Sequence, residues 1–184
     1  MSTSFARLAD LILLAILAGL GAILTVAMVF QYAAGELPCP LCLLERVAMF
    51  GVCFGIIRHV RQSYDGRNLG LSLVWGLVLL IVSIRHTLLN IVARPGHAYP
   101  GSAVLGVHMP VWSVIIALAV LLTLAATLAA FDPARLDATP SSPVLQRIGN
   151  VAALYVIALC LINLVSVILQ CGLGACHTTG YALL

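Results

Sequence analysis

Six cysteines stand in this 184-residue chain, and four of them form two close pairs, Cys39 with Cys42 and Cys171 with Cys176. The first pair is spelled Cys39-Pro40-Leu41-Cys42. Pro40 suits the first position of a helix, where its missing N–H would be unpaired in any case. Cys39 then becomes the N-cap and Cys42 falls in the first turn. A helix amino terminus favours an anion, so a thiolate is stabilised there and a C-x-x-C so placed reads as a redox motif. The competing readings are a static disulfide and half of a zinc site. A second C-x-x-C is missing, which argues against zinc, and no metal ligand set is assigned.

Arg46 follows Cys42 by four residues, so it shares the same helix face one turn deeper. A charge inside an apolar helix is costly and marks a functional site by default. The plainer alternative is an arginine that snorkels outward beside Glu45. Arg85 and His86 form a second polar pair near the end of a later apolar run. If the two helices run antiparallel, Arg46, Arg85 and His86 lie at similar depth. Hydrogen-bond donors beneath a reactive thiolate suit a lipid-soluble electron acceptor with carbonyl oxygens, and a quinone is the obvious candidate.

In the tail, "QCGLGACHTTGYALL", Cys171 and Cys176 enclose two glycines, flexible enough to close an intrachain disulfide. Cys171, Cys176 and His177 also spell C-x4-C-H, which allows a haem-binding subunit as an alternative from another class. The usual attachment spacing is the shorter C-x-x-C-H. His86, His97, His108 and His177 come from separate segments without helical spacing and read as hydrogen-bonding groups rather than metal ligands. Cys53 and Cys160 read as small apolar packers. Asn163 and Ser166 read as interhelical hydrogen-bonding groups.

The elements that must carry these residues follow from composition. Hydrophobic residues make up 62% of the chain and charged ones 8%, with a mean hydropathy of +1.15. A soluble domain of this size cannot hide that much apolar surface. Five runs, at roughly 9–33, 41–59, 69–92, 109–130 and 149–169, are long enough to cross the ~30 Å hydrocarbon core as helices. The expectation is a single all-α integral membrane domain over residues 1–184. The first run is too long for a signal-peptide core and is read as a retained helix. The net charge of +3 is too weak to point to nucleic acid. All nine positive charges are arginines. Arg7, Arg58, Arg61, Arg67, Arg135 and Arg147 fall on one side of the predicted spans, against Arg94 in the opposite loops, so the amino terminus is cytoplasmic. With five spans the carboxyl terminus is then outside, and both cysteine pairs emerge on the same non-cytoplasmic face. In a bacterium that face is the periplasm, where disulfides persist. Trp75 and Trp112 read as anchors at opposite interfaces.

Three segments carry a resemblance: "CPLCLLER" at the start of the second helix, "RHTLLN" at the end of the third and "GVHMPVW" entering the fourth. Over roughly helices one to four the chain resembles the DsbB family, the inner-membrane disulfide bond formation proteins B. The resemblance implies a four-helix-bundle core, here with a fifth transmembrane helix. It also implies a thiol oxidase that takes electrons from a periplasmic DsbA-like thioredoxin-fold partner and passes them to ubiquinone or menaquinone. Carried over by motif, Cys42 is the cysteine beside the quinone and Cys39 its disulfide partner. Arg46 binds the quinone and stabilises the thiolate, and His86, within the Arg85-His86 pair, is a further quinone contact. One departure is plain. The family's second cysteine pair lies between helices three and four, but the corresponding stretch "ARPGHAYPGSAVLG" has no cysteine. Cys171 and Cys176, after the added helix, are inferred to be that pair relocated. A vitamin K epoxide reductase-like enzyme is a variant of the same chemistry. It lacks this early C-x-x-C with Glu-Arg.

Overall fold

The computed structural model describes residues 3–62, 66–91, 103–130, 143–172, 174, 176 and 180–183. Five helices dominate them: α1 Thr3–Ala33, α2 Pro40–Gln62, α3 Gly66–Asn90, α4 Met109–Ala130 and α5 Pro143–Cys171. Each is long and apolar enough to cross a membrane, as the sequence predicts. The boundaries shift where polarity misleads a hydropathy reading. The α5 helix begins at Pro143 rather than at 149, because Gln146 and Arg147 continue the backbone ladder even though they are not apolar. Similarly, α2 runs on to Gln62 and α3 starts at Gly66, so the predicted turn "RHVRQSYDGRN" is mostly helix. Most of the predicted loops "ARPGHAYPGSAVLG" and "FDPARLDATPSSP" lies outside the described residues, as do His97 and His177.

The bundle is organised around α2, which packs on α3, α5 and α1, while α3 also packs on α4 and α5 on α1. In a bilayer, apolar side chains gain little by leaving lipid for protein, so close backbone approach and buried polar contacts decide the packing. Gly51 and Gly55, four residues apart on α2, serve that purpose. A Cβ at Gly51 would collide with the Trp75 indole, and one at Gly55 with Ser72. The Ser72 hydroxyl donates across this contact to the Val52 carbonyl at 3.1 Å. Trp75 is therefore an α2–α3 packing residue rather than an interface anchor. Beneath these contacts, Leu13, Leu17, Leu24, Val52, Cys53, Ile56, Leu79 and Leu124 form one buried core. Ile81, Leu122 and Leu154 are among the apolar side chains that face outward, as a lipid-solvated surface requires.

A two-residue hairpin, β1 Ala103–Val104 and β2 Val107–His108, precedes α4. Its turn residues Leu105 and Gly106 both have positive φ, 53° and 77°, the conformation that tight two-residue hairpins require. The Trp112 indole N–H donates to the Val104 carbonyl at 3.0 Å and fastens the hairpin to α4.

Candidate functional site

The start of α2 has the geometry its sequence predicts. Pro40 is the first helical residue. The Cys39 carbonyl accepts the first intrahelical bond, from Leu43 N–H at 3.0 Å. Cys39 Sγ accepts from the Cys42 N–H at 3.1 Å, so a sulfur takes the place of the usual capping oxygen. Cys39 and Cys42 are joined as a disulfide, and both are half-buried.

On the α3 side, His86 Nε2 lies 3.6 Å from Cys39 Sγ. Behind it, His86 Nδ1 meets Glu45 Oε1 at 3.0 Å, and the Ser113 hydroxyl of α4 donates to Glu45 Oε2 at 3.0 Å. Asn90 Nδ2 donates to the His86 carbonyl at 2.8 Å, holding the last turn of α3. Glu45, His86 and Ser113 are all buried. A carboxylate accepts only, so Glu45 fixes the proton on Nδ1 and turns the Nε2 lone pair toward the sulfur. The result is a carboxylate–imidazole–sulfur relay assembled from three helices. Glu45 was the residue missed by sequence reasoning. The signal for it in the sequence is a carboxylate within an apolar helix, next to Arg46.

Arg46 points the other way, toward α1 and α5. Its Nη1 donates to Gln31 Oε1 at 2.6 Å and to Asn163 Oδ1 at 3.2 Å, and its Nη2 donates to the Ala27 carbonyl at 3.0 Å. Met28 Sδ lies 3.9 Å from Nη1. The side chain is buried, so it does not snorkel. These partners are neutral dipoles, which solvate the cation without cancelling its charge. Arg46 and His86 thus lie on opposite sides of α2, with His86 in contact with Cys39 and Arg46 held by α1 and α5. Arg85 does not join them, for it is exposed on the outer face of α3 beside the buried His86. Asn163 and Ser166 do make interhelical bonds, Asn163 to Arg46 and Ser166 to the Tyr32 hydroxyl. Cys53 is a buried packer, but Cys160 is exposed on the outer face of α5.

The second pair is also disulfide-bonded, Cys171 to Cys176. The α5 helix ends in Gly172, whose φ of +58° and N–H bond to the Ile168 carbonyl at 2.9 Å make a left-handed cap. The chain then returns over the helix end. Ala182 N–H donates to the Gln170 carbonyl and Leu183 N–H to the Leu169 carbonyl, satisfying groups a helix terminus leaves unpaired. Two bonds tie this end to the first site. The fully buried Gln170 donates from Nε2 to the Pro38 carbonyl at 2.9 Å. The Tyr181 hydroxyl accepts from Gln31 Nε2 at 3.3 Å, and Gln31 in turn holds Arg46. Gln170 adjoins Cys171 and Pro38 adjoins Cys39, so this hydrogen bond joins the neighbours of the two pairs and puts both pairs at the same end of the bundle.

Comparison with known proteins bears on the same residues. A family model described as disulfide bond formation protein DsbB matches residues 9–98. A protein of Cupriavidus necator, named disulfide bond formation protein B, is 30% identical over 54% of this chain and 80% of its own length. The chain belongs to the DsbB family. The residues matched by the DsbB model include Cys39, Cys42, Glu45, Arg46 and His86, whereas α4, α5 and the Cys171–Cys176 tail fall beyond it. No solved structure matches the chain. With five apolar helices, this DsbB-family member is a multi-pass protein of the bacterial inner membrane carrying two cysteine pairs.

Proposed function

We propose that the chain is a membrane thiol:quinone oxidoreductase. It reoxidises a periplasmic DsbA-like thioredoxin-fold partner, passing electrons through Cys171–Cys176 and then Cys39–Cys42 to ubiquinone or menaquinone. It does so as a single membrane domain, amino terminus inside, with both pairs on the periplasmic face. The observation that supports this reading is the Gln170–Pro38 bond, which links the end of α5, where Cys171 stands, to the residue before Cys39 at the start of α2.

The relay balances as thiol–disulfide exchange. A partner thiolate attacks the Cys171–Cys176 bond, and the partner's second thiol resolves the mixed disulfide. The partner leaves oxidised and the tail cysteines become thiols. One of them, as thiolate, attacks Cys39 Sγ and expels Cys42 as a thiolate at the α2 amino terminus, where the helix dipole favours it. The other tail thiol then displaces Cys39, and Cys171–Cys176 is restored. The electron pair now stands on Cys39 and Cys42, with Cys39 a thiol, Cys42 a thiolate and the second proton released to solvent. His86 Nε2 would take the Cys39 proton while Glu45 holds the imidazolium, and the Cys39 thiolate would close on Cys42 with the electron pair passing to a bound quinone.

A quinone bound beside Cys42 supplies a two-electron, two-proton sink. Arg46 fits that group because its buried charge faces neutral dipoles, leaving it free to attract the negative charge that builds on a carbonyl oxygen. Purified protein in detergent, given a reduced thioredoxin-fold dithiol and quinone, is expected to form one partner disulfide per quinone consumed. Arg46→Gln is expected to raise the KM for quinone about 10- to 100-fold, the worth of a charged hydrogen bond. Partner oxidation with no quinone consumed would overturn the proposal.

Gln170 acts as a positioning residue in this scheme. Gln170→Ala is expected to slow exchange between the two pairs by at least about 10-fold, since small misplacements of reacting groups are costly. Quinone-driven closure of Cys39–Cys42, started with a small-molecule dithiol, keeps its rate. Rapid-quench alkylation separates the two steps, and equal slowing of both would remove Gln170 from the relay.

A further inference from the structure

The sequence offers half of a zinc ligand set at Cys39 and Cys42, and the fold brings the third ligand. Cys39 Sγ, Cys42 Sγ and the nitrogen of His86 all lie within 4.8 Å of one another. We infer that the reduced form of this centre binds one thiophilic divalent cation of the Zn²⁺ type through Cys39 Sγ, Cys42 Sγ and His86 Nε2, and that the disulfide form does not.

Bond lengths set the first condition. Zinc binds thiolate at about 2.3 Å and imidazole at about 2.0–2.1 Å in a tetrahedron, which places neighbouring ligand atoms roughly 3.4–3.8 Å apart. Breaking the Cys39–Cys42 bond lets the sulfurs separate toward that spacing, and Cys39 Sγ already lies 3.6 Å from His86 Nε2. The second condition is the orientation of the histidine. A metal-binding imidazole needs its other nitrogen held by an acceptor, and Glu45 Oε1 holds Nδ1 at 3.0 Å with Ser113 steadying the carboxylate. Charge and access complete the case. Two thiolates neutralise a divalent cation, and their two protons pass to solvent on binding. Both cysteines are only partly buried, so a cation can approach.

Redox state is the gate, because the two sulfurs become anionic ligands only as thiolates. A bound cation ties up the dithiol, so Zn²⁺ is an inhibitor that acts only on the reduced enzyme. The inference concerns binding and stands apart from the relay; its readout is spectroscopic.

The test titrates full-length protein in detergent with Co²⁺, which reports tetrahedral thiolate ligation by its absorption, followed by displacement with Zn²⁺. A Cys171→Ser/Cys176→Ser background removes the tail thiols. One ion per chain is expected after reduction and none in the oxidised protein, a contrast that needs no change at the site. His86→Ala is expected to weaken binding at least about 10-fold, and Glu45→Gln about 10- to 100-fold, as loss of the group orienting a ligand does. Absence of one-to-one binding by the reduced protein overturns the proposal, as does unchanged affinity in His86→Ala.

Discussion

Replacing Cys171 or Cys176 with serine is expected to abolish oxidation of the thioredoxin-fold partner while Cys39–Cys42 still closes at its normal rate with quinone. The split follows from where the two pairs sit. Cys39 and Cys42 are held by the α2 amino terminus and His86, and among the described residues these contacts use no tail sulfur. Cys171 closes α5 and is buried, whereas Cys176 follows the turn that begins at the positive-φ Gly172 and is partly exposed, so Cys176 is the more accessible sulfur for a folded partner. With one tail cysteine gone, no tail disulfide forms and the reduced partner finds no disulfide bond to attack. The check is a pair of assays on one preparation, partner oxidation and quinone reduction by a small-molecule dithiol. Quinone-dependent partner oxidation at the unmodified rate in either variant would sink the relay.

His86→Ala is expected to slow closure of Cys39–Cys42 by about 10²- to 10⁴-fold, the range of a lost general base. Two roles for this side chain make different forecasts. As a quinone contact, the role its family resemblance implies, it would mainly affect the KM for quinone. As the base for Cys39, the role its 3.6 Å approach to the sulfur supports, it limits the rate even at saturating quinone. Glu45→Gln is expected to lower that rate less than His86→Ala, because the imidazole stays but loses the charge that stabilises its protonated form. A raised KM with an unchanged limiting rate would assign His86 to quinone binding instead.

Much of the architecture was readable from the chain. Five apolar runs become five helices because lipid leaves a spanning segment no other way to satisfy its backbone. Pro40 places the helix start, so the capping role of Cys39 was also legible. Other features were not. The Gly51–Gly55 spacing is a packing signal visible in the sequence, but its partners Trp75 and Ser72 are known only once α3 is docked. Trp75 was assigned to an interface because an indole near a span end usually sits there, and Cys160 to the interior because most free cysteines do. In both cases the face of the helix decided, and near-uniform hydrophobicity around a membrane helix hides that face.

What the sequence offered by itself is the inventory: five spans, a redox-type helix start, an arginine within an apolar helix, and two cysteine pairs that parity of the spans is expected to put on one face. Those conclusions depend on local chemistry and on counting, which need no contacts. The tertiary structure alone decided the pairing. It turned His86 toward Cys39 and Arg85 toward the outside, made Glu45 the partner of His86, gave Arg46 to α1 and α5, and set Gln170 against Pro38. Each of these joins residues far apart in the chain, and a contact between helices depends on their relative rotation and docking, which apolar periodicity in a lipid-facing protein barely records.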